Sequence, residues 1–384
     1  MANKKKAKKP KNKYKNRSGH MSKAFGPPNP QEGSLLMQLP QELRDEIYSY
    51  LFFSTRISSG ERAFGRIDHR RIVPIPNALA LLRTCRRVHS EIGHSWLHKV
   101  LFSFEDPEAM LNKLANISIE TRSMIRHVRV SGCPLVLSFE DDDVFYRTSA
   151  ALKLLPGLKL DRLTVMGGRD SMVCYETLDK LVKHSDGWKE LYYLSHNSTF
   201  LGYKDTWPSW TGGPDADRYL RVPQPAGWQK ILEDRDGPAS CPSVAIYRST
   251  NPGRACSVLH ADLRVPFVQT LAAGQNLAKF GKMEDAALMA AGEREKEVLV
   301  VVKRGRGLDY EEKEGSLYLP YGYDIRGEMP GMTWKQIKTE LDNKYEDDED
   351  WPFGDDDEEE PGLVDAYSHV DDYVWPPLHF ATDE

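Results

Sequence analysis

Several stretches hold residue types that could do chemistry at their spacing. Cys85 and His89 stand four apart, as do His94 and His98, so each pair falls on one face of a helix and could ligate a metal. The four do not share one face, and neither an HExxH motif nor a paired-cysteine spacing accompanies them. Cys174 with His184, and Cys256 with His260, combine a nucleophile with a base type. Catalytic partners meet in space rather than along the chain, so neither spacing points to a reaction. Residues 303–307 (KRGRG) follow an apolar run but lack the GxxxxGK[ST] and GxGxxG patterns that cradle phosphates, and no GxSxG occurs. The expectation is a protein that is not an enzyme, with no cofactor and no metal.

The elements around the first of these residues are more informative. In residues 39–53 (LPQELRDEIYSYLFF), Leu39 and Pro40 open a helix, since proline fits the first turn, where no N–H partner is needed. Leu43, Ile47 and Leu51 recur at i, i+4 and i+8, with Glu42, Arg44, Asp45 and Glu46 on the polar side. Residues 81–104 (LLRTCRRVHSEIGHSWLHKVLFSF) place Leu81, Cys85, Val88, Ile92 and Trp96 at steps of three and four, with Arg83, Arg86, Arg87 and Glu91 on the other faces. Two short amphipathic helices cannot bury their stripes alone. They must pack on each other or on a partner.

The order Leu-Pro, Glu-Leu-Arg, Ile-Tyr and then LLRTCRRVHSEI resembles the F-box-like module of a large group of fungal proteins, over residues 35–104. Two features depart from that pattern. Residues 54–77 intervene where an F-box joins its helices tightly, and the tryptophan usually found soon after the Cys-Arg pair is displaced: position 89 is His89, and the nearest is Trp96. The resemblance implies a small helical bundle whose Leu-Pro end docks on the Skp-type adaptor of cullin ubiquitin ligases. The adaptor-binding residues would then be Leu39, Pro40, Leu43, Ile47 and Leu51. Read from the residues alone, the same stripe is the core of an N-terminal subdomain, and both readings stay open.

Beyond it, Leu101 to Phe104 read as a short strand, and Asp106 caps a helix through Leu114 with Pro107 at its first position. Strand-like runs at 125–132, 160–168 and 188–195 then recur about 30 residues apart, alternating with helical runs at 144–155 and 171–187. That rhythm indicates an irregular α/β solenoid or open parallel sheet, resembling degenerate leucine-rich repeats, although the consensus asparagine and regular leucines are missing. Further on, 228–234 and 266–280 read as helices, 242–249 as a strand, and 297–305 as a strand buried on both faces, because Val298 to Val302 are continuously apolar. The fold class is thus α+β to α/β, with a basic disordered arm at 1–34, the F-box-like helical module at 35–104, the irregular repeat-like region at 105–310, and an acidic, aromatic and largely disordered tail at 311–384.

Composition sets the remaining bounds. The 384 residues carry a formal net charge of -5 and are 40% hydrophobic, enough to bury a sizeable core. Five cysteines, widely spread and without CxxC pairs, indicate free thiols rather than a zinc or disulfide framework. No apolar N-terminal h-region and no membrane-length apolar run occur, so the protein is expected in nucleus or cytoplasm and not secreted. The lysine-rich first twenty residues and the acid run at 346–362 are expected to stay open in solution. The arm is read as a nuclear import signal or a solvated tail, with specific nucleic-acid binding disfavoured. The acidic tail either binds basic partners, folds back on a basic face or only solubilises. The Trp-rich loop at 203–229 interrupts the rhythm, and Trp207 and Trp210, with Tyr192 and Tyr193 on the neighbouring strand, are the expected contacts for a recruited target protein. The competing reading folds the tryptophans back as a lid on the core. The expected function is a non-enzymatic interaction adaptor, with a Skp-type ligase adaptor and an unidentified target as partners; the alternative is a nuclear interaction protein that shares the fold without the ligase.

Overall fold

β-Branched and aromatic runs at 101–104, 127–131, 160–166 and 188–195 form parallel strands laid side by side in chain order. The computed structural model that establishes this describes residues 33–64, 68–71, 79–139, 143–168, 170–204, 221–254, 256–271, 274, 276–320 and 324–346. The basic arm, Trp207, Trp210 and the segment 347–384 lie outside the described residues.

The chain opens with α1 (Leu35–Gln38) and α2 (Gln41–Phe53), then β1 (Arg56–Ser59), the hairpin strands β2 (Glu61–Phe64) and β3 (Asp68–Arg71), and α3 (Arg86–Ile92) between two 3-10 turns. There follow β4 (Leu101–Phe104), α4 (Pro107–Leu114), α5 (Ile119–Arg122), β5 (His127–Ser131), a second hairpin of β6 (Leu135–Ser138) and β7 (Asp143–Tyr146), α6 (Thr148–Lys153), β8 (Leu160–Met166), α7 (Ser171–His184) and β9 (Trp188–Ser195). The last part holds α8 (Thr199–Gly202), α9 (Ala226–Asp236), β10 (Ser243–Pro252), β11 (Arg264–Pro266), α10 (Leu277–Phe280), α11 (Ala286–Met289), β12 (Lys296–Lys303), α12 (Ile325–Glu328) and α13 (Trp334–Glu346).

One eight-stranded sheet runs β1-β4-β5-β8-β9-β12-β10-β11. The first five strands are parallel; β12 pairs antiparallel with both β9 and β10, and β11 antiparallel with β10. The fold is therefore mixed α and β around a mostly parallel sheet. β1 and β4, which belong to the stretch read from sequence as a helical module, are strands of this same sheet. Parallel strands added in one direction through crossovers of one hand put every crossover on the same face. Accordingly Met110, Leu111 and Leu114 of α4, Leu178 and Leu181 of α7, and Trp228 and Leu232 of α9 join Phe102, Val128, Leu163, Leu191, Val300 and Ile246 of the sheet in one core.

Local chemistry explains most element ends. Asp106 accepts from the Ala109 amide at 2.6 Å and Pro107 starts α4; Asp170 caps α7 through the Val173 amide. Gly132 and Gly167 close β5 and β8, each donating its amide to the next strand's carbonyl (Met166 and Leu194) at 2.6 Å. A Cβ at Gly132 would meet the Met166 carbonyl oxygen at 3.1 Å, and one at Gly167 would meet the Tyr193 hydroxyl at 3.1 Å, so these strand exits are tight for any larger residue.

Three element readings need correction. Residues 143–146 form a strand paired with β6, leaving only 148–153 helical, because Val144 and Tyr146 alternate against the 135–138 run. Residues 266–280 are not one helix: Arg264–Pro266 pairs with β10, and a single helical turn forms at 277–280. Residues 81–98 are not continuous either. Cys85 takes an extended conformation and caps α3, its Sγ accepting from the Val88 amide, and Gly93 at φ 51 ends it. By contrast α13 falls where Trp334, Ile337 and Leu341 share a face, and all three are buried.

Candidate docking surface on the second helix

The helix α2 packs inward through Arg44, Tyr48 and Phe52, one position out of step with the Leu43, Ile47, Leu51 stripe. Pro40 precedes the helix as its cap residue rather than starting it, and its carbonyl accepts from the Arg44 amide. Arg44, read from sequence as polar and outward, is buried. Its Nε and Nη2 reach both oxygens of Glu91 on α3 at 3.0 and 2.8 Å, and its Nη1 donates to the Leu39 carbonyl. The Tyr48 hydroxyl and the Arg87 Nε donate to the same carboxylate at 3.2 and 2.9 Å. A planar guanidinium held in both directions fixes the angle between α2 and α3. Burial pushes the Glu91 carboxyl up, but the hydrogen bonds from Arg44 and Arg87 outweigh it and hold it below the usual carboxylate range. Burial, then the Glu91 charge, raise the Tyr48 phenol.

The consequence appears on the other side of α2. Leu43 is 47% exposed, Ile47 43% and Leu51 40%, with Tyr50 and Leu35 more exposed still. Pro40 is exposed and Leu39 half-buried at the same end. Of the two readings of this stripe, the core reading therefore does not describe it: the core contribution comes from Tyr48 and Phe52. The second anchor of the module is its junction with the sheet. Thr55 accepts the Leu101 amide at 3.1 Å, Trp96 lies 6.3 Å from Phe102, and Phe53 lies 6.1 Å from His127.

Sequence reasoning missed the inward face because the i, i+4, i+8 count at 43, 47 and 51 is satisfied one residue later by Arg44, Tyr48 and Phe52. Glu91 was the available signal, since an arginine facing the interior needs a carboxylate and the second stretch supplies one.

The expected target contacts separate. Tyr193 is fully buried, its ring 5.9 Å from Phe200, so it belongs to the core and offers no surface; consecutive strand residues point to opposite faces. Tyr192 lies on the other face, half-buried, with the Arg162 guanidinium 4.1 Å from its ring centre. Trp207 and Trp210 lie outside the described residues, but the two ends of their loop are clamped together: Arg221, 1% exposed, donates to the carbonyls of Tyr203 at 2.6 Å, Leu201 and Met283. Trp228 is a core residue, bonded to Asp179 at 3.2 Å and 5.4 Å from the Tyr175 ring.

Cys174 is buried, donates to the Gly168 carbonyl, and is pushed up to about 11, chiefly by burial. Cys256 begins the 3-10 turn at Ser257–Leu259 that Glu297 holds, its carboxylate accepting from the Cys256 amide at 2.7 Å. Among the described residues no three His, Cys, Asp or Glu side chains converge as a metal site, and no helix is long and apolar enough to cross a membrane. Comparison with protein-family models, with curated proteins and with solved structures returned no match.

Proposed function

We propose that the chain is a non-enzymatic, F-box-like interaction adaptor, with α2 as the surface that docks on a Skp-type adaptor of cullin ubiquitin ligases. The observation that carries this reading is the uncovered apolar stripe of Leu43, Ile47 and Leu51 on a helix whose opposite face is fixed by Arg44 and Glu91. A stripe left in water on a rigidly oriented helix suits a helix-to-groove contact. Arg44 and Glu91 are also the arginine of LPxELR and the acid of TCRxxxxE, so the motif that prompted the resemblance has a structural role in presenting the stripe. The strand-by-strand winding from β4 to β9, with glycine exits at Gly132 and Gly167, supports reading the sheet as a leucine-rich-like scaffold for a target, with Tyr192 and the loop bearing Trp207 and Trp210 at its contact surface.

Co-expression with a Skp-type adaptor tests the reading. Full burial of a Leu or Ile side chain contributes about 1.5–3 kcal/mol, so the double variant Leu43→Ala, Ile47→Ala should abolish co-purification while its Tm stays near that of the parent. Loss of binding together with a large fall in Tm would return the stripe to the core. A folded parent chain that captures no adaptor would favour an interaction protein that shares the architecture without the ligase.

A further inference from the structure

Two chain segments leave the same end of the sheet and go to opposite faces. β9 ends at Ser195, and the chain passes through His196 and Asn197 into α8, whose Phe200 and Leu201 enter the core on the helix-bearing face. β10 ends at Pro252, and the chain passes through Gly253 and Arg254 toward the 3-10 turn at Ser257–Leu259. There Val258 packs on Met166, Leu194, Leu299 and Val301 of the other face. β12 lies between the two strands, antiparallel to both, and begins at this end just after Arg294 and Glu295. Connections that diverge from the carboxyl ends of strands open a crevice, and such crevices are where α/β sheets take their ligands. The crevice is a cavity of about 400 Å³ lined by His196, Asn197, Thr199, Arg254, Arg294 and Glu297, a size that suits a small molecule.

Its polar wall is held in place by its own bonds. Asn197 Oδ1 accepts from the Thr199 amide at 3.1 Å and from the Thr199 hydroxyl, which also meets Ser171 Oγ at 2.6 Å. Asn197 Nδ2 lies 2.8 Å from His196 Nε2. Glu297, 1% exposed, accepts from the Cys256 and Val258 amides at 2.7 and 3.1 Å and from the Ser257 hydroxyl at 2.9 Å. The two guanidiniums differ: among the described residues the side chains of Arg254 and Arg294 have no hydrogen bond or ion pair. A guanidinium offers a planar fork of N–H donors that matches the oxygens of a carboxylate or phosphate. We propose that this crevice binds a small-molecule oxyanion, a carboxylate or phosphate group, held by Arg254 and Arg294, with His196, Asn197 and Thr199 as the wall for the rest of the molecule. The cavity's own carboxylates leave room for it. Glu297 is turned to three donors of its own chain, and Glu295 is exposed, where water weakens its charge. The inference is independent of the role of α2.

Differential scanning fluorimetry on the full chain tests it, with inorganic phosphate or glycolate added against sodium chloride of equal ionic strength. At least one probe should raise Tm saturably. A response to glycolate alone marks a carboxylate ligand, and one to phosphate alone a phosphate ester. The double variant Arg254→Gln, Arg294→Gln changes two exposed side chains, so its Tm without probe should match the parent's. Its half-saturating probe concentration should rise about tenfold or more, as expected when charge-assisted hydrogen bonds are lost. Lys303→Gln removes an exposed cation outside the cavity and should leave that concentration unchanged. No saturable rise with either probe, or an unshifted midpoint in the double variant, would overturn the assignment. So would an equal shift in Lys303→Gln, by showing that net charge rather than the crevice attracts the anion.

Discussion

Arg44 donates to Glu91 through two nitrogens and to the Leu39 carbonyl through a third, so its guanidinium joins the Leu-Pro entry of α2 to α3. Because the folded Glu91 carboxyl sits below its unfolded value, the stability it contributes is fully present above the ordinary carboxylate range. It is lost as pH falls through the folded value. The variant Glu91→Gln keeps the shape but removes the charge, and is expected to lower Tm at neutral pH. Its Tm should also fall less than the parent's between roughly pH 5 and pH 3. Differential scanning fluorimetry across that range checks both; an unchanged acid limb in the Gln variant would place the pH dependence on other carboxylates.

At the scale of elements, α13 shows how a polar stretch is held. Trp334, Ile337 and Leu341 are buried, while the other faces of the helix carry Lys335, Lys338 and Glu340. Truncating a buried tryptophan costs about 3–5 kcal/mol, whereas a lost neutral hydrogen bond costs about 1 kcal/mol. Trp334→Ala is thus expected to destabilise strongly in urea titration, and Trp334→Phe, which loses the bond to Asn112 but keeps most of the apolar area, only mildly. Equal and small effects of the two would mean that α13 is dispensable to the fold.

Across the whole molecule, the sheet joins regions that composition divides. β1 and β4 precede residue 105, yet they pair in register with β5. At the other end, Lys153 of α6 and Glu312 form a fully buried pair at 2.9 Å, while Arg304 and Asp236 pair at 2.7 Å, binding the segment after β12 to the helix layer. Removing one partner of a buried pair leaves an uncompensated charge and costs about 3–5 kcal/mol; replacing both with apolar groups costs far less. Lys153→Met should therefore destabilise more than the double variant Lys153→Met, Glu312→Leu, as read by chemical denaturation. The continuous sheet further implies coincident unfolding transitions by far-ultraviolet circular dichroism and by tryptophan fluorescence. Two separated transitions would show that the N-terminal helices unfold as their own unit.

The sequence by itself determined the local features. Asp106 with Pro107 defined the start of α4; β-branched and aromatic runs defined β4, β5, β8, β9 and β12; and the period of Trp334, Ile337 and Leu341 defined the buried face of α13. Each rests on neighbours within a few residues, where capping, alternation and helical period act. Tertiary structure decided what depends on distant partners. The face of α2 that turns inward follows from Glu91, 47 positions away, since a carboxylate that can satisfy a buried guanidinium reverses the order that hydrophobicity alone would give. The opposite fates of Tyr192 and Tyr193 follow from which side of the sheet the crossovers cover. Likewise only parallel pairing brings Arg56, His127, Arg129 and Arg162 onto neighbouring strands, although the chain spreads them over more than a hundred residues.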